Sequence, residues 1–182
     1  MMNKKGFTLV EMLTTTVILV IVFALLAVIF GRATTIHKVV RSGGDAENFG
    51  IYLLNTITYG PGVTREEGLV TAPPFQSTAL DTELVFLTPT NQSIFYRLTG
   101  GTLLHNNYDL KPTWAKDRQL EVLSADSTQS KFFFYDKDLV ELTSTDTPYY
   151  VGIRLVLKNT LQNIQEAVTL YRCVRVRNWI EF

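Results

Sequence analysis

The sequence predicts an α+β fold, with one long N-terminal helix packed on a C-terminal antiparallel β-sheet domain. The first half of that helix is apolar enough to be transmembrane. Three observations carry this. An apolar run near the N-terminus is too long and too uniformly oily for the core of a chain this size. A stretch with helical spacing of apolar residues follows it directly. The rest of the chain consists of short β-type runs separated by turn residues. The 182 residues suffice for one ordinary domain plus an appendage.

The first element begins in MMNKKGFTLVEMLTTTVILVIVFALLAVIF. Val17 to Phe30 is an unbroken run of 14 apolar residues, and extension back to Phe7 makes 24 residues whose only charge is Glu11. As a helix this is roughly 36 Å long at about 1.5 Å per residue, enough to cross a hydrocarbon core of about 30 Å. Beyond Phe30 the pattern stays helical but changes chemistry. Ile36, Val39 and Val40, then Ala46, Phe49, Leu53, Leu54 and Ile57, recur among polar residues at helical spacing. This back half is expected to lay one face on a globular domain. Gly31 and the Gly43-Gly44 pair are expected bend points, and Gly60-Pro61-Gly62 ends the helix. The predicted organisation is therefore a segment 1–6 ahead of the helix, a helix over 7–60 with its membrane part at 7–30, and a β-rich domain over 61–182.

Residues 61–82 are rich in Pro, Gly and Thr and read as a connecting loop. Strands are expected over 83–87, 93–98, 102–105, 119–124, 131–136 and 139–142, with turns at Thr88-Pro89-Thr90-Asn91 and Gly100-Gly101. The two longest come last. In 150–158, Val151, Ile153, Leu155 and Leu157 share one face. In 167–179, Val168, Leu170, Val174 and Val176 do so, interrupted by Arg172. Leu161-Gln162-Asn163 lies in the turn of this hairpin. Phe132-Phe133-Phe134 reads as core strand, while Trp179 to Phe182 reads as core or as a partner contact.

Composition narrows the function. Lys plus Arg equals Asp plus Glu at 17 each, so no bulk attraction to nucleic acid or anionic lipid follows. Arg172, Arg175 and Arg177 read as charge protecting an edge strand, and nucleic acid is a disfavoured partner. The single cysteine, Cys173, rules out an intramolecular disulfide and reads as a small core residue. The two histidines, His37 and His105, sit in no metal-ligand or nucleophile spacing. Asp136 and Asp138 flank Lys137 in what reads as a solvated turn. No catalytic, metal-binding or cofactor-binding residue is expected, and the chain is not read as an enzyme.

The start of the chain admits three readings. A secretory signal peptide would explain Lys4 and Lys5. It fails on Glu11, on Thr14–Thr16, on the length of the apolar run and on the lack of a small-x-small cleavage site. A plain anchor fits the length, but basic residues flank it on both sides. The third reading uses every piece. Lys4-Lys5-Gly6-Phe7-Thr8-Leu9-Val10-Glu11 resembles the N-terminal signal of type IV pilins and type II secretion pseudopilins. The resemblance implies that a prepilin peptidase cuts between Gly6 and Phe7. It also implies that Phe7 becomes the N-methylated terminus and that the apolar helix is retained. Glu11 falls on the family's acidic position.

That position has a physical rationale of its own. A carboxylate in a membrane segment is a functional candidate whose partner should be named. Cleavage would create one, the Phe7 ammonium, one helical turn from Glu11. The pair could close within a chain or between neighbours. Between neighbours it would set a register for otherwise featureless apolar helices, making Glu11 and Phe7 filament-assembly residues. IFYRLTGGTLLH and the final strand running into Arg175-Val176-Arg177-Asn178 resemble the larger minor pilins and J-type minor pseudopilins. The absence of a C-terminal cysteine pair also points to a minor subunit.

The resemblance implies a single-pass protein of the cytoplasmic (inner) membrane with its globular domain outside the cytoplasm. The chain would later enter a pilus or pseudopilus. Implied partners are other pilin or pseudopilin subunits, the prepilin peptidase/methyltransferase, an inner-membrane assembly platform and, before assembly, the lipid bilayer. Pilus, type II secretion and DNA-uptake systems all remain open. A membrane-anchored extracytoplasmic binding or enzymatic domain on an uncleaved helix is the alternative from another class.

Overall fold

The computed structural model describes residues 8–61, 67–73, 75, 81–123, 129–142, 146–160 and 167–176. The chain divides into two units, one up to Arg41 and one from Ser42 onward. Helix α1 (Leu9–Tyr59) contributes to both. Helical structure runs through Gly31, Gly43 and Gly44 without a break.

In the first unit almost all described side chains of α1 are exposed. Phe23 is 62% exposed, and even Leu26 is 41% exposed. Ile36 and Val40 are also exposed and do not belong to the buried face that their spacing predicts. In the second unit the same helix buries Ala46, Phe49, Leu53, Leu54 and Ile57, the positions read from periodicity. Its end lies at Gly60, whose positive φ of 90° closes the last turn as its N–H donates to the Thr56 carbonyl at 2.8 Å.

The sheet domain contains two antiparallel sheets. The first has the order β1 (Glu83–Leu87), β2 (Ser93–Thr99), β3 (Thr102–His105), β4 (Tyr108–Asp109). The β2–β3 turn is Gly100-Gly101, with φ of 55° and 80°, angles that a two-residue hairpin demands and glycine supplies without strain. Asn106 and Asn107, also at positive φ, make the β3–β4 turn, which was not foreseen. The second sheet is built on β7 (Tyr150–Asn159). One side of β7 pairs with β8 (Ala167–Arg175) along almost its whole length. The other side is shared by β5 (Leu120–Val122) and β6 (Lys131–Tyr135) in tandem. The sheets abut where Phe132 donates to the Asp81 carbonyl (2.6 Å) and Val122 to the Gly101 carbonyl (2.9 Å).

Strand alternation builds the core. Val151, Ile153, Leu155 and Leu157 are fully buried on one face of β7, and Phe132 and Phe134 join them from β6. Phe133 points to the opposite face, so the Phe triplet is only in part core. There its ring meets Tyr135 and Tyr171 over Gly152. Helix α2 (Thr113–Asp117), also unforeseen, sets Trp114 edge-on to Phe49 of α1 at 6.0 Å. Arg118, just past α2, pairs with Asp45 of α1.

Three further expectations need correction. Residues 139–142 are not a strand. Asp136 Oδ1 accepts the N–H groups of Asp138 (2.9 Å) and Val140 (2.8 Å), and this turn throws Leu139 and Val140 into solvent. Glu141 forms an isolated bridge to Tyr135, closed by the Leu142 N–H donating to the Phe134 carbonyl at 2.7 Å and the Asp136 N–H donating to the Val140 carbonyl at 3.0 Å. Residues 61–82 are more than a connection, because the 3-10 turn Leu69–Thr71 and Ala72 lie in this stretch and Leu69 and Ala72 are fully buried. Cys173 is exposed, since odd-numbered residues of β8 face outward. The expected hairpin turn at 161–163 and the end at 177–182 lie outside the described residues.

Two contacts in this unit invite tests. Gly50 allows α1 to approach the sheet, because a Cβ there would lie 2.3 Å from Leu170 Cδ1 and 2.6 Å from Leu157 Cδ1. Gly50→Val should therefore cost about 1–3 kcal/mol in chemical denaturation of the detergent-solubilised chain, through overpacking. Gly50→Ala should cost less, because gained helix propensity offsets part of the clash.

His105 is buried beside Tyr96, ring centroids 4.9 Å apart. Its Nε2 lies 3.5 Å from Glu67 Oε2 with no hydrogen-bond partner among the described residues. Burial depresses its pKa below 6.5 more than the Glu67 charge raises it. The folded state thus favours the neutral ring. The stabilisation is complete above the unfolded pKa of about 6.5 and is lost as pH falls through the folded value. Thermal melts should show stability declining with acidification below pH 6.5, and His105→Phe should flatten that decline.

Candidate functional site

The N-terminal turn of α1 is built from Thr8-Leu9-Val10-Glu11. Thr8 precedes the first helical residue and Glu11 stands three positions on, the spacing of a capping box. Both reciprocal bonds are present. The Thr8 N–H donates to Glu11 Oε2 at 2.8 Å, and the Glu11 N–H donates to Thr8 Oγ1 at 3.3 Å. The Thr8 hydroxyl also donates to Glu11 Oε2, at 2.9 Å. Two main-chain donors at the helix start are thereby satisfied, and a negative charge sits at the positive end of the helix dipole.

One Glu11 oxygen carries all these contacts. Among the described residues Oε1 has no hydrogen-bond partner. Gly6 and Phe7 lie outside the described residues, so the Glu11–Phe7 pair is not among the observed contacts. Thr8 is the partner that sequence reasoning missed, although Thr-x-x-Glu ahead of an apolar run carried the signal. The box also gives Glu11 a use in a plain membrane anchor.

The next polar residues are satisfied locally. Thr15 donates to the Glu11 carbonyl (2.7 Å), Thr16 to the Met12 carbonyl (2.8 Å) and Thr14 to the Val10 carbonyl (3.0 Å). Hydroxyls bonded back to their own helix add little cost to a lipid-facing surface. The apolar stretch reaches a mean hydropathy of 2.9 over 18 residues with none of that window buried. The site thus joins a capped, acidic helix start to a membrane-length apolar surface.

The other sequence candidates do not converge. His37 is exposed on α1. His105 belongs to the first sheet and exposed Cys173 to the second. No cluster of metal-ligating side chains occurs among the described residues. Arg172 faces inward and donates to Asn55 Oδ1 at 2.9 Å, and Arg175 bonds the Tyr149 hydroxyl and lies over its ring. Arg177 lies outside the described residues.

Residues 1–27 match a family model described as the prokaryotic N-terminal methylation motif. No curated protein and no solved structure matches the chain. The motif supports a type IV pilin-like or pseudopilin precursor. It implies processing by a prepilin peptidase and assembly with other subunits.

The capping box predicts a measurable asymmetry. In detergent micelles, Thr8→Val and Glu11→Gln should each speed amide exchange over the first turn of α1, about fivefold for loss of an N-cap. Thr8→Ser should leave exchange near wild type. Equal exchange in all variants would show that the box does not hold the turn.

Proposed function

We propose that the chain is a minor structural subunit of a type IV pilus-like filament, inserted in the membrane as a precursor and assembled through its N-terminal helix. The observation that carries this reading is the methylation motif over 1–27, whose described part from Leu9 onward lies on a helix that no described residue covers there. Such a helix needs lipid before assembly and other apolar helices after it.

In this reading residues 1–6 form the leader, cleavage falls between Gly6 and Phe7, and the Phe7 amine is methylated. Glu11 acts in assembly. Its Oε2 is held by Thr8, which lowers the cost of carrying the carboxylate in the membrane pool. Oε1 stays open to an ammonium supplied by Phe7 of its own chain or of a neighbour. The globular domain is extracytoplasmic and the helices form the filament core. The lone cysteine supports a minor subunit over a disulfide-looped major one. Pseudopilins of type II secretion systems and subunits of DNA-uptake pili share the same helix logic. The internal engagement of Arg172 and Arg175 favours protein partners over nucleic acid.

Mass spectrometry of the mature N-terminus tests the reading. The expected species begins with methylated Phe7, whereas an intact Met1 or a cut near Gly31 would overturn it. Glu11→Val should leave membrane insertion unchanged and reduce recovery in sheared filaments at least about tenfold, the loss expected from leaving a buried charge unpaired. Normal incorporation would remove Glu11 from assembly.

A further inference from the structure

We propose that Arg32, Lys38 and Arg41 form a cationic collar on α1 that holds anionic phospholipid headgroups at the C-terminal end of the membrane segment. The proposal rests on the membrane reading of the N-terminal helix and adds a lipid class to it.

Between Glu11 and Asp45 the formal charges are Arg32, Lys38 and Arg41, all positive. A chain that is neutral as a whole thus gathers cations in one part of its first unit. The three lie on uninterrupted helix and are exposed. None of them forms an ion pair among the described residues. No acid stands three or four residues from Arg32 or Lys38. Asp45 stands four residues after Arg41, a spacing at which helical ion pairs close. Asp45 is instead held by Arg118.

Helix geometry puts the collar where a bilayer presents phosphate. Glu11, capped by Thr8, suits the headgroup layer at the start of the segment. A hydrocarbon core of about 30 Å takes up about 20 residues at about 1.5 Å each. A core entered at Met12 is therefore left near Gly31, and Arg32 is the next residue. Lys38 and Arg41 follow about 10 and 15 Å beyond that edge at the same rise. The headgroup layer extends roughly 5–8 Å past the core on each side. Helical side chains lean toward the N-terminus, here back toward the bilayer, and long cationic stems carry their charge to the phosphates.

The arrangement around the helix selects lipid over a protein neighbour. At about 100° per residue, Arg41 is half a turn from Arg32, and Lys38 is about 60° from Arg41. A helix lying along the surface would gather its cations on one face. A carboxylate on a neighbouring chain would likewise meet one face. Headgroups surround a helix that passes through them, and they can meet cations on opposite faces together.

Lipid selectivity of the full-length chain reconstituted in phosphatidylcholine vesicles tests this. Every sample carries Lys4→Gln and Lys5→Gln, which remove the lysines at the opposite end of the segment. Spin-labelled phosphatidylglycerol and spin-labelled phosphatidylcholine are compared by the fraction of each immobilised on the protein. The parent should prefer phosphatidylglycerol several-fold, because a cation near a lipid surface contributes up to about fivefold. Arg32→Gln should reduce the preference about threefold, and Arg32→Lys should retain it. Arg32→Gln with Lys38→Gln and Arg41→Gln should abolish it with circular dichroism unchanged. Salt at about 0.5 M should weaken it in the parent. Equal immobilisation of the two lipids by the parent, or a preference that survives in the triple variant, would overturn the proposal. Loss of self-association in the triple variant with lipid preference unchanged would also overturn it, assigning the collar to a neighbouring chain. Resistance to alkaline extraction scores insertion separately. A chain that is extracted refutes the membrane reading, whereas an inserted chain without lipid preference refutes the collar alone.

Discussion

One helix lives in two solvents, and much else in the protein follows from that. Over its first unit α1 presents apolar side chains on every side, and no described residue removes them from water. From Ser42 onward the same helix buries Phe49, Leu53 and Ile57 completely. Burial of apolar area is worth about 25 cal/mol per Å², so the uncovered surface is a standing demand for lipid or for other helices. The covered surface meets the same demand within the chain. The membrane-length segment and the fold are therefore two solutions to one constraint.

The polar groups of the first unit are arranged to respect that constraint. Glu11 is the one charge in a run that otherwise avoids charge, and its carboxylate is folded onto the helix start by Thr8. Thr14, Thr15 and Thr16 return their hydroxyls to carbonyls one turn back. A carboxylate already holding two hydrogen bonds does not require a second chain to be tolerable, which separates insertion from assembly. A further cation would add to the cap and need not replace it, because the free oxygen is not the one Thr8 uses.

The second unit shows where pattern reading succeeds and where it stops. Strands 83–87 and 102–105 have the boundaries their composition predicts, because each is a short β-type run bounded by turn residues. The back half of α1 was legible for the same reason, as periodicity reports which face is buried. The segment 139–142 misled because its composition suits a strand. The deciding bonds come from the side chain of Asp136, which binds the main-chain donors a strand would need. Helix α2 and the Asn106-Asn107 turn were missed because each is only a few residues long, shorter than any period. At the candidate site, Thr-x-x-Glu ahead of an apolar run is a local pattern, and it encodes the Thr8–Glu11 capping box without any tertiary contact.

The sequence by itself determined the membrane-length helix, the acidic position four residues from Phe7, and the alternation that makes β7 the centre of a core. These are local or periodic properties, and a linear string records them completely. Only the tertiary structure decided that the strands split into two sheets, that Phe133 leaves the core, that Cys173 is exposed and that Arg172 turns onto α1. Each depends on which face of a strand meets the helix. Side-chain alternation gives every strand two faces, and only packing against α1 selects the one that goes inside.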